Sequence, residues 1–217
     1  MLEMNHLYLM NCMEGMKQFP DKYFELAIVD PPYGVQYARG KNGWGVCDNR
    51  PTLDDVKWDS AVPSQEYFKE LLRVSKNQIV WGGNYFTDKL PTSKCWITWD
   101  KIDTTKNKSV FADCELAWTS FTKVCKIFKL RQMGFIKDTK DTDRIHPTQK
   151  PTELYTWLLT NYANKGDKIL DTHVGSASSL IACYNYKFDY IGFEIDQDYY
   201  TAAQARMDAV MAQTSMF

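Results

Sequence analysis

Short apolar runs alternate along this chain with stretches in which apolar residues recur every three or four positions. HLYLM and FELAIV read as strands, and CMEGMKQF between them as a helix with Met13, Met16 and Phe19 on one face. SQEYFKELLRVS offers Ser64 as an N-cap and a stripe of Tyr67, Phe68, Leu71, Leu72 and Val74, leading into the strand NQIVWGG. Further strands are predicted at KCWITW, CELAWTSF and CKIFKL, then a helix at TELYTWLLTNYA. The pattern closes with strand KILD, a small-residue helix near SSLIACYNY, strand DYIGFEI and a C-terminal helix starting near Asp196. Strands alternating with helices argue for an α/β fold with a mainly parallel sheet, covered on both faces. Polar stretches near 35–60, 101–112 and 132–146 interrupt the alternation and are long enough to act as lids or binding segments.

Length and composition narrow this picture. A chain of 217 residues, 44% hydrophobic and 24% charged, has the means to bury one full-sized core and is not of the disordered type. No apolar run reaches membrane-spanning length and the N-terminus lacks a secretion pattern, so a cytoplasmic protein without a membrane partner is expected. The six cysteines contain no C-x-x-C pair and are expected to be reduced and mostly in the core. His6, His146 and His173 are too scattered to suggest a metal centre. Trp44, Trp81, Trp96 and Trp99 read as core or loop anchors.

Charge adds one asymmetry. The net charge is −1, yet residues 101–150 hold eleven Lys and Arg against six Asp and Glu, an excess of +5 that leaves −6 elsewhere. Lys101, Lys106, Lys108, Lys123, Lys126, Lys129 and Arg131 supply much of it, and suit either an anionic partner or a solvated loop.

Two segments carry candidate chemistry. KILDTHVGSASSL has the form strand, acid, tight turn, helix, and Glu194 ends the next strand 19 residues after Gly175. That is the spacing at which an acid meets ribose hydroxyls in a nucleoside-binding βαβ unit, although a plain turn and a strand-end acid would look alike. Ala177 stands where a dinucleotide loop has its second glycine, which favours a nucleoside without a pyrophosphate. IVDPPYG, residues 28–34, is either an ordinary strand-ending turn or a device that holds a flat substrate against a carboxylate.

Together these motifs resemble the amino-methylating DNA methyltransferases, which act on adenine N6 or cytosine N4 with S-adenosylmethionine. DPPY at 30–33 is similar to their catalytic motif, and DTHVGSASS followed by YIGFEID to their methyl-donor site. HPTQKPTELYTWLL at 146–159 is similar to the segment preceding the donor site in members whose catalytic half comes first. NCMEGMKQFPDKYFELAIVDPPYG is similar to the usual lead-in, and IVWGGNYF and CELAWTSF to members found in phages and mobile elements. The resemblance spans nearly the whole chain.

It implies a Rossmann-like methyltransferase fold, a mainly parallel doubly wound sheet with one antiparallel hairpin strand, entered in permuted order. A single domain over 1–217 is expected, with a target-base half over about 1–130 and a donor-binding part over about 146–217. Loops at about 35–60 and 101–146 would contact DNA. Asp30, Pro31, Pro32 and Tyr33 would hold a base flipped out of the duplex, the Asp30 carboxylate and Pro31 carbonyl accepting from its amine and Tyr33 stacking on it. Asn11, Cys12, Asp30, Lys150, Asp171, His173, Gly175, Ser176 and Glu194 would surround S-adenosylmethionine, with Glu194 on the ribose. Two residues depart from the family pattern: His173 replaces a Phe, and Ala177 a glycine. The acid at the head of the tetrad points to adenine N6 rather than cytosine N4, where serine is commoner. Methylation of RNA or of a protein amide, and a noncatalytic nucleic-acid-binding relative, remain open, as does a monomer or a homodimer.

Overall fold

The computed structural model describes residues 2–34, 62–102, 112–133, 136–139, 141, 145–146 and 148–214. The predicted strands appear as β1 (His6–Leu9), β2 (Phe24–Val29), β3 (Ser75–Trp81), β4 (Trp96–Asp100), β5 (Cys114–Thr119), β6 (Lys126–Lys129), β9 (Lys168–Asp171) and β10 (Asp189–Glu194). The helices are α1 (Cys12–Met16), α2 (Gln65–Val74), α3 (Thr152–Tyr162), α4 (Ser178–Asn185) and α5 (Gln197–Thr214). Ser64 caps α2 as its position implied, its hydroxyl accepting from the Tyr67 N–H at 3.4 Å.

Eight strands form one sheet in the order β1-β10-β9-β2-β3-β5-β4-β6. Each described pairing is parallel except those of β5, which runs against both β3 and β4. This is the expected doubly wound sheet with one reversed hairpin strand. Side chains of β2 alternate between two cores: Leu26 and Ile28 face α3, α4 and α5, whereas Ala27 and Val29 face α1 and α2. Near-continuous apolar strands such as FELAIV follow from having both faces covered. Each fully buried Leu, Ile or Phe in these layers contributes about 1.5–3 kcal/mol.

Some expectations are corrected. The first helix stops at Met16; the Gln18 and Phe19 N–H groups bond three residues back, a tightening that still delivers Phe19 to the core. A two-strand ladder, β7 (Gln132–Met133) with β8 (Ile136–Lys137), lies inside the stretch read as polar, because two-residue strands are too short to show alternation. Among the described cysteines most are not core: Cys95 and Cys183 are buried, Cys12 is intermediate, and Cys114, at the start of β5, and Cys125, just before β6, are exposed. Trp81 and Trp99 are buried and Trp96 packs against the core. Trp44, Cys47, Lys106, Lys108 and nearly all of the loops at 35–60 and 101–112 lie outside the described residues. Among the described residues no helix is long and apolar enough to cross a membrane.

Candidate active site

β2 and β9 are neighbours, but the chain leaves them in opposite directions across the sheet, through α2 to β3 and through α4 to β10. Divergence of this kind opens a crevice at the carboxyl ends of the strands, where such sheets bind ligands. Asp30–Tyr33 follow β2, Asp171 ends β9 with Gly175 and Ser176 just beyond, Glu194 ends β10, and Asn11 and Cys12 follow β1. The topology therefore gathers residues that span most of the chain at one edge.

In the tetrad Pro31 is buried and Pro32 partly so, and rigid proline φ angles hold the turn at low entropic cost. The Tyr33 hydroxyl donates to Asp30 Oδ1 at 2.6 Å, and Lys150 Nζ donates to Asp30 Oδ2 at 2.5 Å and to Tyr33 Oη at 3.2 Å. Burial, then the negative charges of Asp30 and Glu115, push the Tyr33 phenol well above its ordinary value, so it keeps the proton it donates.

Lys150 also lies 3.0 Å from Glu115 Oε2, and Lys101 Nζ donates to Glu115 Oε1 at 2.8 Å. Two cations and two anions thus alternate along Lys101–Glu115–Lys150–Asp30. Burial alone would raise the Glu115 carboxyl, but Lys150 and Lys101 overcome it and hold the group at about 2. Burial likewise opposes the Lys150 charge, and the carboxylates of Asp30 and Glu115 more than restore it. Lys150, expected with Asp30 among the residues around the donor, places its ammonium on the tetrad, where the nearest compensating charges are. Lys101, read as a possible phosphate contact, is spent on Glu115.

Tyr33 lies against the turn that follows β3. A Cβ at Gly82, whose φ is +68°, would come within 2.2 Å of Tyr33 Cε1, so glycine serves here both the left-handed turn and the ring. Tyr85 stacks on Tyr33 with centroids 5.0 Å apart at 17°, and Phe86 meets it edge-on at 6.1 Å. Tyr85 is 46% exposed.

On the other side of the crevice Asp171 is buried, accepting from the His173 N–H at 3.0 Å and from the Ser179 hydroxyl. Burial, against those two bonds and with Asp30 and Glu194 adding like charge, raises its carboxyl to about 7. Burial also drops His173 to about 4, so the ring is neutral near pH 7; Nδ1 lies 2.9 Å from Thr172 Oγ1, which is 2.7 Å from the Tyr67 hydroxyl. Gly175, at φ +54°, donates its N–H to Glu194 Oε2 at 2.8 Å, and Glu194 Oε1 accepts from the Ile195 and Asp196 N–H groups at 2.9 Å each. Burial lifts the Glu194 carboxyl in spite of these bonds. Ala177 takes a left-handed φ of 63°, a strain of about 1 kcal/mol that the missing glycine would relieve. Arg206 of α5 clamps the loop, donating to Ser176 O at 2.7 Å and Ser178 Oγ at 2.9 Å. Asn11 uses its side chain to cap α1 at Met13 N, 2.8 Å away, and burial pushes the Cys12 thiol to about 12.

A family profile described as DNA methylase, the N6/N4 type, matches residues 92–205, more than half of the chain. The chain belongs to this family of amino-methylating DNA methylases. It is therefore an S-adenosylmethionine-dependent amino-methyltransferase of DNA. The type II methyltransferase M.HpaI of Haemophilus parainfluenzae is 25% identical to this methylase over 238 aligned residues, covering 92% of this chain and 73% of that protein. M2.MboI of Moraxella bovis is 22% identical, with 93% and 86% covered. Among solved structures, the M1.HpyAVI–SAM complex superposes with a TM-score of 0.59 at 18% identity, covering 93% of this chain and 98% of that one. The cytosine-N4-specific PvuII DNA methyltransferase reaches 0.59 at 12% identity, with 95% and 89% covered. These likenesses establish the class I methyltransferase fold.

The methylase's residues fit the cationic, hydroxyl-bearing donor of its family. Asp171 and Glu194 both stand at the loop, Glu194 Oε2 accepts one bond among the described residues, and the nearby His173 ring is uncharged. Sequence reasoning missed Tyr85, Glu115, Tyr67, Ser179 and Arg206. An acid inside the otherwise apolar strand CELAW was a signal for Glu115, and the Gly-Gly turn before Tyr85 was another; Arg206 had none.

Asp171 yields a test of its own. The folded chain holds this proton to about pH 7, whereas an unfolded carboxyl releases it near 3.8, so the folded state binds more protons between those values. Stability is accordingly lost as pH rises from about 4 to about 7, and remains low above. Asp171→Asn should therefore raise unfolding free energy by up to about 4 kcal/mol at pH 8 and by nothing below pH 4, while weakening donor binding. Urea melts across pH and donor titration calorimetry measure the two effects; equal melts at pH 8 would contradict the buried-charge account.

Proposed function

We propose that this methylase transfers a methyl group to the exocyclic N6 amine of an adenine flipped out of duplex DNA, with Asp30 as the principal acceptor for that amine. The observation that carries the reading is the Asp30 carboxylate, held by Tyr33 and Lys150 at the end of β2 beside the glycine loop after β9. Each Asp30 oxygen already accepts one hydrogen bond and retains a lone pair for an amine N–H. The nitrogen lone pair of an aromatic amine is delocalised into its ring. Accepting its hydrogens at Asp30 Oδ and at the Pro31 carbonyl favours a pyramidal nitrogen whose lone pair points out of the ring plane.

The partly exposed Tyr85 ring, backed by Tyr33 stacked beneath it, offers the extruded base a stacking platform. Such a contact is worth roughly 1–3 kcal/mol, comparable with the few kcal/mol lost on unstacking. Glu194, Asp171, Gly175, Ser176 and the His173 ring would hold S-adenosylmethionine, with Glu194 accepting from ribose hydroxyls. When bound, that donor supplies an electrophilic methyl carbon whose leaving group departs as a neutral thioether. Nitrogen gains the N–C bond and gives up a proton, for which the Asp30 carboxylate is the adjacent acceptor. In-line approach is then mainly a matter of positioning. The tetrad from the first half and the loop from the last third support the expected division of one domain into target-base and donor parts.

A second reading, cytosine N4, is favoured by the fold likeness to a cytosine-N4-specific enzyme at the same TM-score as the M1.HpyAVI complex. Incubation of duplex DNA with the enzyme and isotope-labelled donor, followed by digestion to nucleosides and mass spectrometry, separates the two. Label in N6-methyldeoxyadenosine is the expected result. Label in N4-methyldeoxycytidine would replace the adenine assignment, and label in neither, with RNA or protein modified instead, would replace DNA as the substrate.

A further inference from the structure

Resting on the reading of Asp30 above, we propose that Lys150 is a positioning residue for methyl transfer, holding the Asp30 carboxylate in place as the acceptor, and that Glu115 sets how much of the Lys150 charge Asp30 receives. Lys150 arrives from the lead-in to α3, 120 residues from Asp30, and is only 5% exposed. A buried ammonium is costly unless its charge and donors are met; here it donates to Asp30 Oδ2 at 2.5 Å and Tyr33 Oη at 3.2 Å and pairs by charge, without hydrogen-bond alignment, with Glu115 Oε2 at 3.0 Å. The faces of Tyr33 and Trp81, 5.7 and 5.5 Å from Nζ, complete the enclosure. A structural salt bridge would need one carboxylate. Two compete for this ammonium, and the second is itself tied to Lys101 at 2.8 Å.

The arrangement has a chemical consequence. A protonated Asp30 would lose its full acceptor capacity toward an amine, and a carboxylate free to rotate would lose alignment. Lys150 opposes both, one oxygen being fixed by its ammonium and the other by the Tyr33 hydroxyl. The groups that face Asp30 are Tyr33 from its own turn, Lys150 and Tyr155 from the α3 segment, Glu115 from β5 through Lys150, Tyr67 from α2 and Asp171 from β9. Among these described residues Lys150 brings the positive charge; Tyr33, Tyr67 and Tyr155 keep their protons, and Asp171 and Glu115 are acids. Removing Lys150 leaves Asp30 facing only neutral or anionic groups.

The test compares Lys150→Met with Glu115→Gln in the full-length enzyme, using kcat against pH on saturating duplex DNA, with donor Kd from calorimetry. Lys150→Met should lower kcat about tenfold at neutral pH and move the acid limb of the profile up by about one pH unit, leaving donor Kd unchanged. Glu115→Gln, which concentrates the ammonium on Asp30, should move the limb down. Opposite displacements are something a merely structural role cannot produce. Weaker donor binding with kcat retained in Lys150→Met would return Lys150 to the donor site and overturn the proposal, as would an unmoved limb in both variants. If Lys150→Met does not fold, the limb in Glu115→Gln decides alone: downward supports the proposal, unmoved or upward overturns it. Asp30→Asn separates the two levels. Activity retained there would remove the catalytic reading itself, whereas an inactive Asp30→Asn with unmoved limbs in the other variants would remove only the role of Lys150.

Discussion

Asp30→Asn is expected to cut single-turnover methyl transfer by about 10²–10⁴-fold while donor affinity changes little. The substitution keeps the shape of the side chain and one carbonyl oxygen, but it replaces the other acceptor with an NH2 group that can only donate. That group faces either the Lys150 ammonium or the Tyr33 hydroxyl, both of which need an acceptor. Lys150 retains Glu115 at 3.0 Å, so the buried cation is not stranded and the fold should survive. Rapid-quench kinetics with labelled donor measure the loss, and a thermal melt confirms that the variant is folded. A folded variant turning over within a factor of ten of the parent would take Asp30 out of the chemistry and move the target amine elsewhere on the edge.

Glu194→Ala should weaken S-adenosylmethionine binding by about 10–100-fold, because charge-assisted hydrogen bonds from ribose hydroxyls are worth roughly 1.5–3 kcal/mol. The carboxylate also has a structural role. It also accepts from the N–H groups of Gly175, Ile195 and Asp196, and so holds the glycine loop to the end of β10. Glu194→Gln keeps one oxygen for such bonds and should lose less than Glu194→Ala. Calorimetric titration of both variants gives the comparison. Unchanged donor affinity in Glu194→Ala would place the ribose away from this strand end.

The sheet and its flanking helices were legible because burial on both faces writes near-continuous apolar runs into strands such as FELAIV and KILD, and amphipathic spacing into α2. The glycine loop and the tetrad were legible as short motifs, since a strand-end acid, a left-handed glycine and paired prolines are requirements of the backbone within a few residues. Topology then had only to bring those motifs together, and the switch point between β2 and β9 does so. What stayed hidden depends on groups distant along the chain. Lys150 reads locally as part of HPTQKP, but its partners are Asp30 and Glu115, 120 and 35 positions away, and only packing of β5 beside β3 and of the α3 lead-in over the edge brings the three together. The stack of Tyr85 on Tyr33 and the clamp of Arg206 on the glycine loop have the same origin. Local pattern carries the backbone's demands, whereas the pairing of buried charges and rings is settled by Coulombic and van der Waals contacts that exist only once the chain has folded.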